Sequence, residues 1–415
     1  MTEVPEAGLP GELSYVALLF GLFVLPRFLQ RYRIPSAITS LGLGAALAMG
    51  FGRFVHDPTV ELLSTFGIVA LFLFAGLDAD VDELRREGRV LLEHLLIRLL
   101  LLGLVAWLVS LALGLSARPA VLVGLALLTP SAGFILESLD RLSVSERERF
   151  WIRSKAIASE LVALGVLFVT LQSTSATTLG GSALALVLMI VLLPVLFEAF
   201  ARRIVPHAPK SEFAFLVMLA VVCAYATREL GVYYLVGAFV VGMAAQAFRE
   251  RLPALASEKM LDAVESFASL FVPFYFLHAG LSLRREDFGL DALVTGAVFL
   301  LCALPLRVAV TACHRRLRLG ETFRGGFRVS VALLPSLVFT LVLAEILRER
   351  FAVPRAVFGG LIVYAVVNTI IPGLLLKLPP PAFEEPHAQE LPAAEAAAVG
   401  YQPPDALTRA APRTG

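Results

Sequence analysis

The sequence predicts an all-α polytopic membrane protein with about thirteen transmembrane helices, arranged as two inverted repeats whose broken helices cross. Three observations predict it. The 415 residues are 58% hydrophobic with a mean hydropathy of +0.81, far more apolar than a chain whose surface must face water. Apolar runs of bilayer-spanning length recur along the chain. Matching motifs also return at a steady offset between its two halves.

The apolar runs lie near 13–29, 34–51, 60–77, 90–114, 119–138, 151–171, 181–200, 212–229, 231–247, 264–281, 290–313, 326–346 and 355–376. A helix needs about 20 predominantly apolar residues, with a range of about 17 to 25, to cross the hydrocarbon core. Residues 1–12 precede the first span. They hold three glutamates and no Lys or Arg, so they lack the basic start of a cleaved signal peptide. The tail 377–415 is rich in Pro, Ala and Glu, has nothing to bury and is expected to be disordered.

Charge in the connections sets the expected orientation. The connections on one side, with Arg27, Arg31, Arg33, Arg85, Arg86, Arg89, Arg141 and Lys155 among their cations, carry 22 Lys and Arg, against 8 on the other. The positive-inside rule then puts the N-terminus outside and the C-terminus in the cytoplasm, in the cell's inner membrane. The net charge of +1 favours no nucleic acid partner. Cys223, Cys302 and Cys313 suit neither a disulfide framework nor a metal site and read as small core residues. No nucleophile with a neighbouring base stands out, so neither an enzyme nor a cofactor is expected.

The repeat relates LFAGLDADVDELRREG from Leu73 to LHAGLSLRREDFG from Leu277, placing Gly76 and Gly280 204 positions apart. LLTPS ending at Ser131 and LLPS ending at Ser336 set Pro130 and Pro335 at an offset of 205, and Arg98 and Arg307 differ by 209. Repeat one covers 13–171, a linker helix 181–200, and repeat two 212–376. Seven spans separate partners, so the halves run in opposite directions through the membrane. Proline removes a backbone donor and clashes with the preceding turn, so the helices should unwind at Pro130 and Pro335. Interrupted helices at matching positions of inverted repeats mark the midplane site of a secondary transporter.

The centre of that site is Glu160. A charged side chain at bilayer depth costs roughly 2.5 to 3.5 kcal/mol on insertion scales and is rarely idle. Buried, it can be poised so that a proton and a metal cation compete for one carboxylate. The bland readings are a structural ion pair with Arg307 or Arg98, or a solvated crevice. Ser159 beside it, Thr129, Ser131 and Ser336 could add hydroxyl and freed carbonyl oxygens as ligands. Arg307 would balance Glu160 when that carboxylate is empty; snorkelling to the interface is its alternative. Glu93, His94 and Arg98 read as a buried pair or scaffold, His278 as structural, and Asp78, Asp80 and Asp82 as a solvated loop face.

At these residues the chain resembles the monovalent cation:proton antiporter superfamily, nearer its Kef-type and bacterial sodium/proton exchanger branch. The carriers are LFLFAGLDADVDELRREG, LLTPSAGFILESLDRL, the span with Glu160, YLVGAFVVGM from Tyr234 and FVPFYFLHAGLSL. The resemblance implies a 13-span fold, a core domain moving against a dimerisation domain, and a homodimer. It also implies exchange of Na+ or K+ for protons by alternating access. The family's Asp-Asp or Asn-Asp carrier pair falls on Ser159 and Glu160, and one carboxylate with a fixed Arg implies electroneutral exchange. Arg307 matches the family's basic residue, while PSLVF departs from the second broken helix of Kef-type members. A sodium-coupled solute symporter and a transport-inactive membrane sensor are the alternatives.

Overall fold

The computed structural model describes residues 11–79, 87–139, 142, 144–208, 211–231, 234–248 and 258–376. Asp80, Asp82, Arg85, Arg86, Arg141, residues 1–10 and the tail from 377 lie outside them. Among the described residues the regular structure is entirely helical. The first half runs α1 Gly11–Gln30, α2 Ser36–Phe51, α3 Pro58–Leu77, α4 Gly88–Leu113, α5 Ala117–Leu128, α6 Ala132–Leu139 and α7 Glu146–Gln172. α8 Ala176–Arg203 follows, and the second half runs α9 Glu212–Glu229, α10 Tyr234–Ala247, α11 Glu258–Leu281, α12 Leu290–Leu319, α13 Phe323–Ala332, α14 Leu337–Phe351 and α15 Arg355–Leu375.

Nine stretches are long and apolar enough to cross a membrane, Ala117–Leu136 of α5 and α6 among them, and α13 with α14, bent by 50° at its break, makes a tenth. α2 and α10 are shorter and α9 is not among them, so length and composition establish fewer than thirteen spans in the described residues.

Packing follows the repeat. α3 lies against α10 and α11 lies against α2; α1 packs on α2 as α9 does on α10. α4 meets α5 and α7 as α12 meets α13 and α15, and α6 meets α7 as α14 meets α15. Exchanging α1–α7 for α9–α15 turns each of these contacts into its counterpart. α3 packs directly on α11, its own repeat partner. α1–α3 with α9–α11 therefore form one helical layer, and α4–α7 with α12–α15 form another that contains both broken helices.

The paired glycines explain part of the repeat. A Cβ on Gly76 would overlap the Phe239 carbonyl of α10, and one on Gly280 would overlap the Leu41 carbonyl of α2. Close backbone approach of this kind is how small residues hold membrane helices together.

Proline alone does not break these helices. Pro26, Pro194, Pro273, Pro305 and Pro372 all lie inside continuous helices. At Pro130 and Pro335 the chain unwinds, between α5 and α6 and between α13 and α14. There other side chains meet the freed carbonyls.

Three expectations are corrected. Asp78 is half-buried and pairs with Arg153 at 3.2 Å, so it does not lie on a solvated face. Only Cys223 is a core residue, since Cys302 and Cys313 are exposed on α12, where the membrane supplies an apolar surrounding. Lys155, counted with the connections, is wholly buried on α7.

Substituting Gly280→Val forces α2 and α11 apart. Overpacking of this size costs about 1 to 3 kcal/mol, visible as a lower unfolding temperature in detergent. Gly103→Ala, where nothing lies within 4 Å of an added Cβ, should leave that temperature unchanged or slightly raised.

Candidate ion site at the helix crossing

α7 is held at both ends. Ser145 caps it, with a 2.8 Å bond from the Ser145 N–H to Glu148 Oε2 and a 3.3 Å bond from the Glu148 N–H to Ser145 Oγ. At the far end Arg118 donates to the Thr170 and Leu171 carbonyls, each at 2.9 Å. Between these anchors α7 packs among α4, α5, α6 and α13. This surrounding buries Glu160 to 2% exposure. Its Oε2 accepts the Ala132 N–H at 2.9 Å. Ala132 opens α6, so the carboxylate faces the positive end of a half-helix, where a negative charge is stabilised.

The two broken helices meet through their unwound segments. The Ser131 N–H donates to the Pro335 carbonyl at 2.8 Å, and Ser131 Oγ accepts the Phe339 N–H at 3.2 Å. Thr340 Oγ1 reaches the Ala126 carbonyl at 2.8 Å.

Basic and amide side chains meet the carbonyl ends. Arg98 donates to the Leu128 carbonyl. Arg307 donates from Nη1 to the Leu127 carbonyl at 3.3 Å and the Tyr364 hydroxyl at 2.8 Å, and from Nη2 to the Leu333 carbonyl at 2.8 Å. The Tyr364 hydroxyl itself donates to the Leu127 carbonyl. Asn368 donates to the Leu334 carbonyl and to Ser336 Oγ at 3.1 Å.

The predicted residues do converge on the crossing, in a different arrangement. Arg307 is 2% exposed and locked by these bonds, so it does not snorkel. It is not ion-paired with Glu160 either: its donors serve carbonyls of both broken helices and the Tyr364 hydroxyl. The same holds for Arg98 at Leu128. Ser131 serves as a crossing contact, whereas Ser336 Oγ is taken by Asn368 within repeat two. Thr129 and Ser159 line a cavity of about 30 Å³ beside Arg98, whereas Glu160, one residue on, turns toward Ala132. Glu93 takes Arg318 as its ion pair.

The family profile described as sodium/hydrogen exchanger, transmembrane, matches residues 15–379. The chain belongs to that family.

The chain is 25% identical over 379 residues to "Probable Na(+)/H(+) antiporter 3" of Methanocaldococcus jannaschii, covering 88% of this chain and 95% of the relative. It is 21% identical to an Na(+)/H(+) antiporter of Enterococcus hirae over 84% of this chain and 92% of the relative. With the Na(+)/H(+)-K(+) antiporter GerN of Bacillus cereus it shares 23% identity, over 61% of this chain and 67% of that one. The fold is similar to that of the solved sodium/proton antiporter MjNhaP1 of Methanocaldococcus jannaschii, with a TM-score of 0.59 at 14% identity over 88% of this chain and 94% of that one.

Sequence reasoning missed Tyr364 and Asn368 in this exchanger-family chain. Both lie in the apolar run of α15, where Asn368 is followed by Thr369. Asn368 lies 208 positions after Glu160, within the spread of the repeat offsets, and that arithmetic was the available signal.

If Arg307 holds helix ends, its loss should not depend on Glu160. Breaking a buried charged contact of this kind costs about 3 to 5 kcal/mol. Arg307→Met should therefore lower the unfolding temperature strongly in both the wild-type and the Glu160→Gln background, with effects additive within about 0.5 kcal/mol. A counter-charge for Glu160 would instead show the second substitution relieving the first.

Proposed function

We propose that the chain exchanges a monovalent cation, sodium or potassium, for protons by alternating access, with Glu160 as the carrier that both ions share. One observation carries this reading: a carboxylate at 2% exposure, held at the crossing of two broken helices by a single backbone N–H among the described residues. A carboxylate in so dry a place gains greatly from neutralisation, by a proton or by a cation, and each displaces the other. The names of the relatives agree with this chemistry.

A route to the carrier supports it. A cavity of about 500 Å³ lies between α1, α2, α3 and α11 and reaches Gly133, the neighbour of Ala132. Arg27, Gln30 and Glu265 give it polar walls at the end of α1, which the charge bias assigns to the cytoplasm.

Within this proposal Ser159, Thr129 and Ser131 would add oxygen ligands to an arriving cation. Arg98 and Arg307 provide a fixed field that does not change during the cycle. Pro130 and Pro335 with Ser336 keep the crossing unwound. One exchangeable carboxylate makes the exchange 1:1 and electroneutral. We further propose thirteen spans, with α2, α9 and α10 crossing as well, and repeats bounded at 13–171 and 212–376 with α8 as linker. The layer of α1–α3 and α9–α11 would form a homodimer in the inner membrane, with the N-terminus outside and the C-terminus in the cytoplasm. No observation favours a solute symporter or a transport-inactive sensor.

The test is proton flux into proteoliposomes on addition of sodium or potassium. Wild-type protein should show cation-driven flux, and Glu160→Gln, which is neutral at every pH, should reduce it at least about a hundredfold, as loss of a carrier demands. Unchanged flux in Glu160→Gln would remove Glu160 from the cycle.

A further inference from the structure

Close to Glu160, on helices that do not line the large cavity, lies a cluster that the exchange reading leaves unused. Lys155 of α7 is fully buried, at 0% exposure. A buried ammonium ordinarily has a carboxylate partner, because desolvation costs several kcal/mol. Arg315 has one in Glu321, at 2.6 to 3.0 Å, and Arg318 has one in Glu93. The partner Lys155 has among the described residues is a base: His314 Nδ1 of α12, 3.4 Å from Nζ. The Trp151 ring centroid lies 5.7 Å from the same nitrogen.

His314 continues outward. Its Nε2 lies 3.8 Å from Glu93 Oε2 of α4, and the Glu93 side chain is 25% exposed. His94, one residue along, sets its ring 5.8 Å from that of His314, and both its ring nitrogens are buried with no hydrogen-bond partner among the described residues. The other charged groups around the cluster are Arg98 on α4, Arg147 and Glu148 on α7, Arg315 and Arg318 on α12, Glu321 beyond it, and Arg328 on α13, which meets Glu148 at 3.7 Å.

We infer that Glu93, His314 and Lys155 form a proton path, separate from the large cavity, that leads from the exposed edge of α4 to the helix bearing Glu160. A permanently charged structural lysine is matched by an acid. A lysine that holds its proton only part of the time is matched by a base that can supply and accept it, and imidazole, with two distinct nitrogens, does both. His314 accepts a proton at Nε2 from the Glu93 carboxyl and releases its Nδ1 proton to the free amine of Lys155. The imidazole ends neutral and the amine ends as ammonium; Glu93 regains its proton from water. Lys155 lies five residues before Glu160, a rise of roughly 7.5 Å at about 1.5 Å per residue. Ser159 stands in that interval, and its buried Oγ has no hydrogen-bond partner among the described residues.

This inference rests on the exchange reading, and its test separates the two. Exchange of tracer sodium for sodium needs Glu160 and no proton, whereas sodium-driven proton flux needs both. His314→Gln keeps hydrogen-bonding groups near Lys155 and Glu93 but cannot relay a proton. Above neutral pH it should slow proton flux at least about tenfold, the low end of what a lost proton-transfer group costs, while tracer exchange stays within about twofold of wild type. Lys155→Met should give the same split. An equal loss in both modes would show a structural role and overturn the path, as would no loss in either. Neither mode in wild type would overturn the exchange reading itself, and the path with it.

Discussion

Four helix ends inside a membrane must find partners, and the rest of the core follows from how they do. Buried away from water, an unmet backbone carbonyl or amide costs several kcal/mol. Breaking two helices creates two carbonyl ends and two amide ends. The carbonyl ends at Leu127, Leu128, Leu333 and Leu334 go to Arg98, Arg307, Tyr364 and Asn368. The amide ends go to Glu160 at Ala132 and to Ser131 Oγ at Phe339. The intramembrane arginines are thus fixed at the negative ends of half-helices and the glutamate at a positive one, as the helix dipole requires.

The two repeats solve the same problem unequally. Arg98 and Arg307 occupy matching positions and each meets a carbonyl end. At the other matching position, repeat one has Glu160 and repeat two has Asn368. The amide of Asn368 is neutral and holds its carbonyl under all conditions. The carboxylate of Glu160 accepts its amide from Ala132, and in the proposed exchange the strength of that bond would change as a proton or a cation neutralised it. Of this matched pair, only the residue of repeat one is ionisable, which is the asymmetry that the proposed one-for-one exchange would use.

Much of this was legible in the sequence for physical reasons. Bilayer thickness dictates span length, so the thirteen apolar stretches fall on the observed helices, most within a few residues, with the broken pairs Ala117–Leu139 and Phe323–Phe351 in their predicted places. Gly76 and Gly280 stood out because backbone contact tolerates no side chain, and Pro130 and Pro335 because they recur. The partners of Arg98 and Arg307 are not legible in the sequence: backbone carbonyls leave no mark in a residue pattern, so the visible acids, Glu93 for Arg98 and Glu160 for Arg307, stand in their place. Lys155 read as a connection charge because counting cations by position ignores which face of α7 packs inward. Asp78 misled in the same way, since its partner Arg153 is 75 positions away.

The proposed exchange depends on one carboxylate, Glu160, shared by two ions. Sodium titrated calorimetrically into purified protein, in buffers of different ionisation enthalpy, measures protons released per cation bound. With Glu160 protonated at the start, binding should release one proton per sodium, and apparent affinity should fall about tenfold for each unit the pH drops. Sodium binding that releases no proton, with an affinity indifferent to pH, would contradict it.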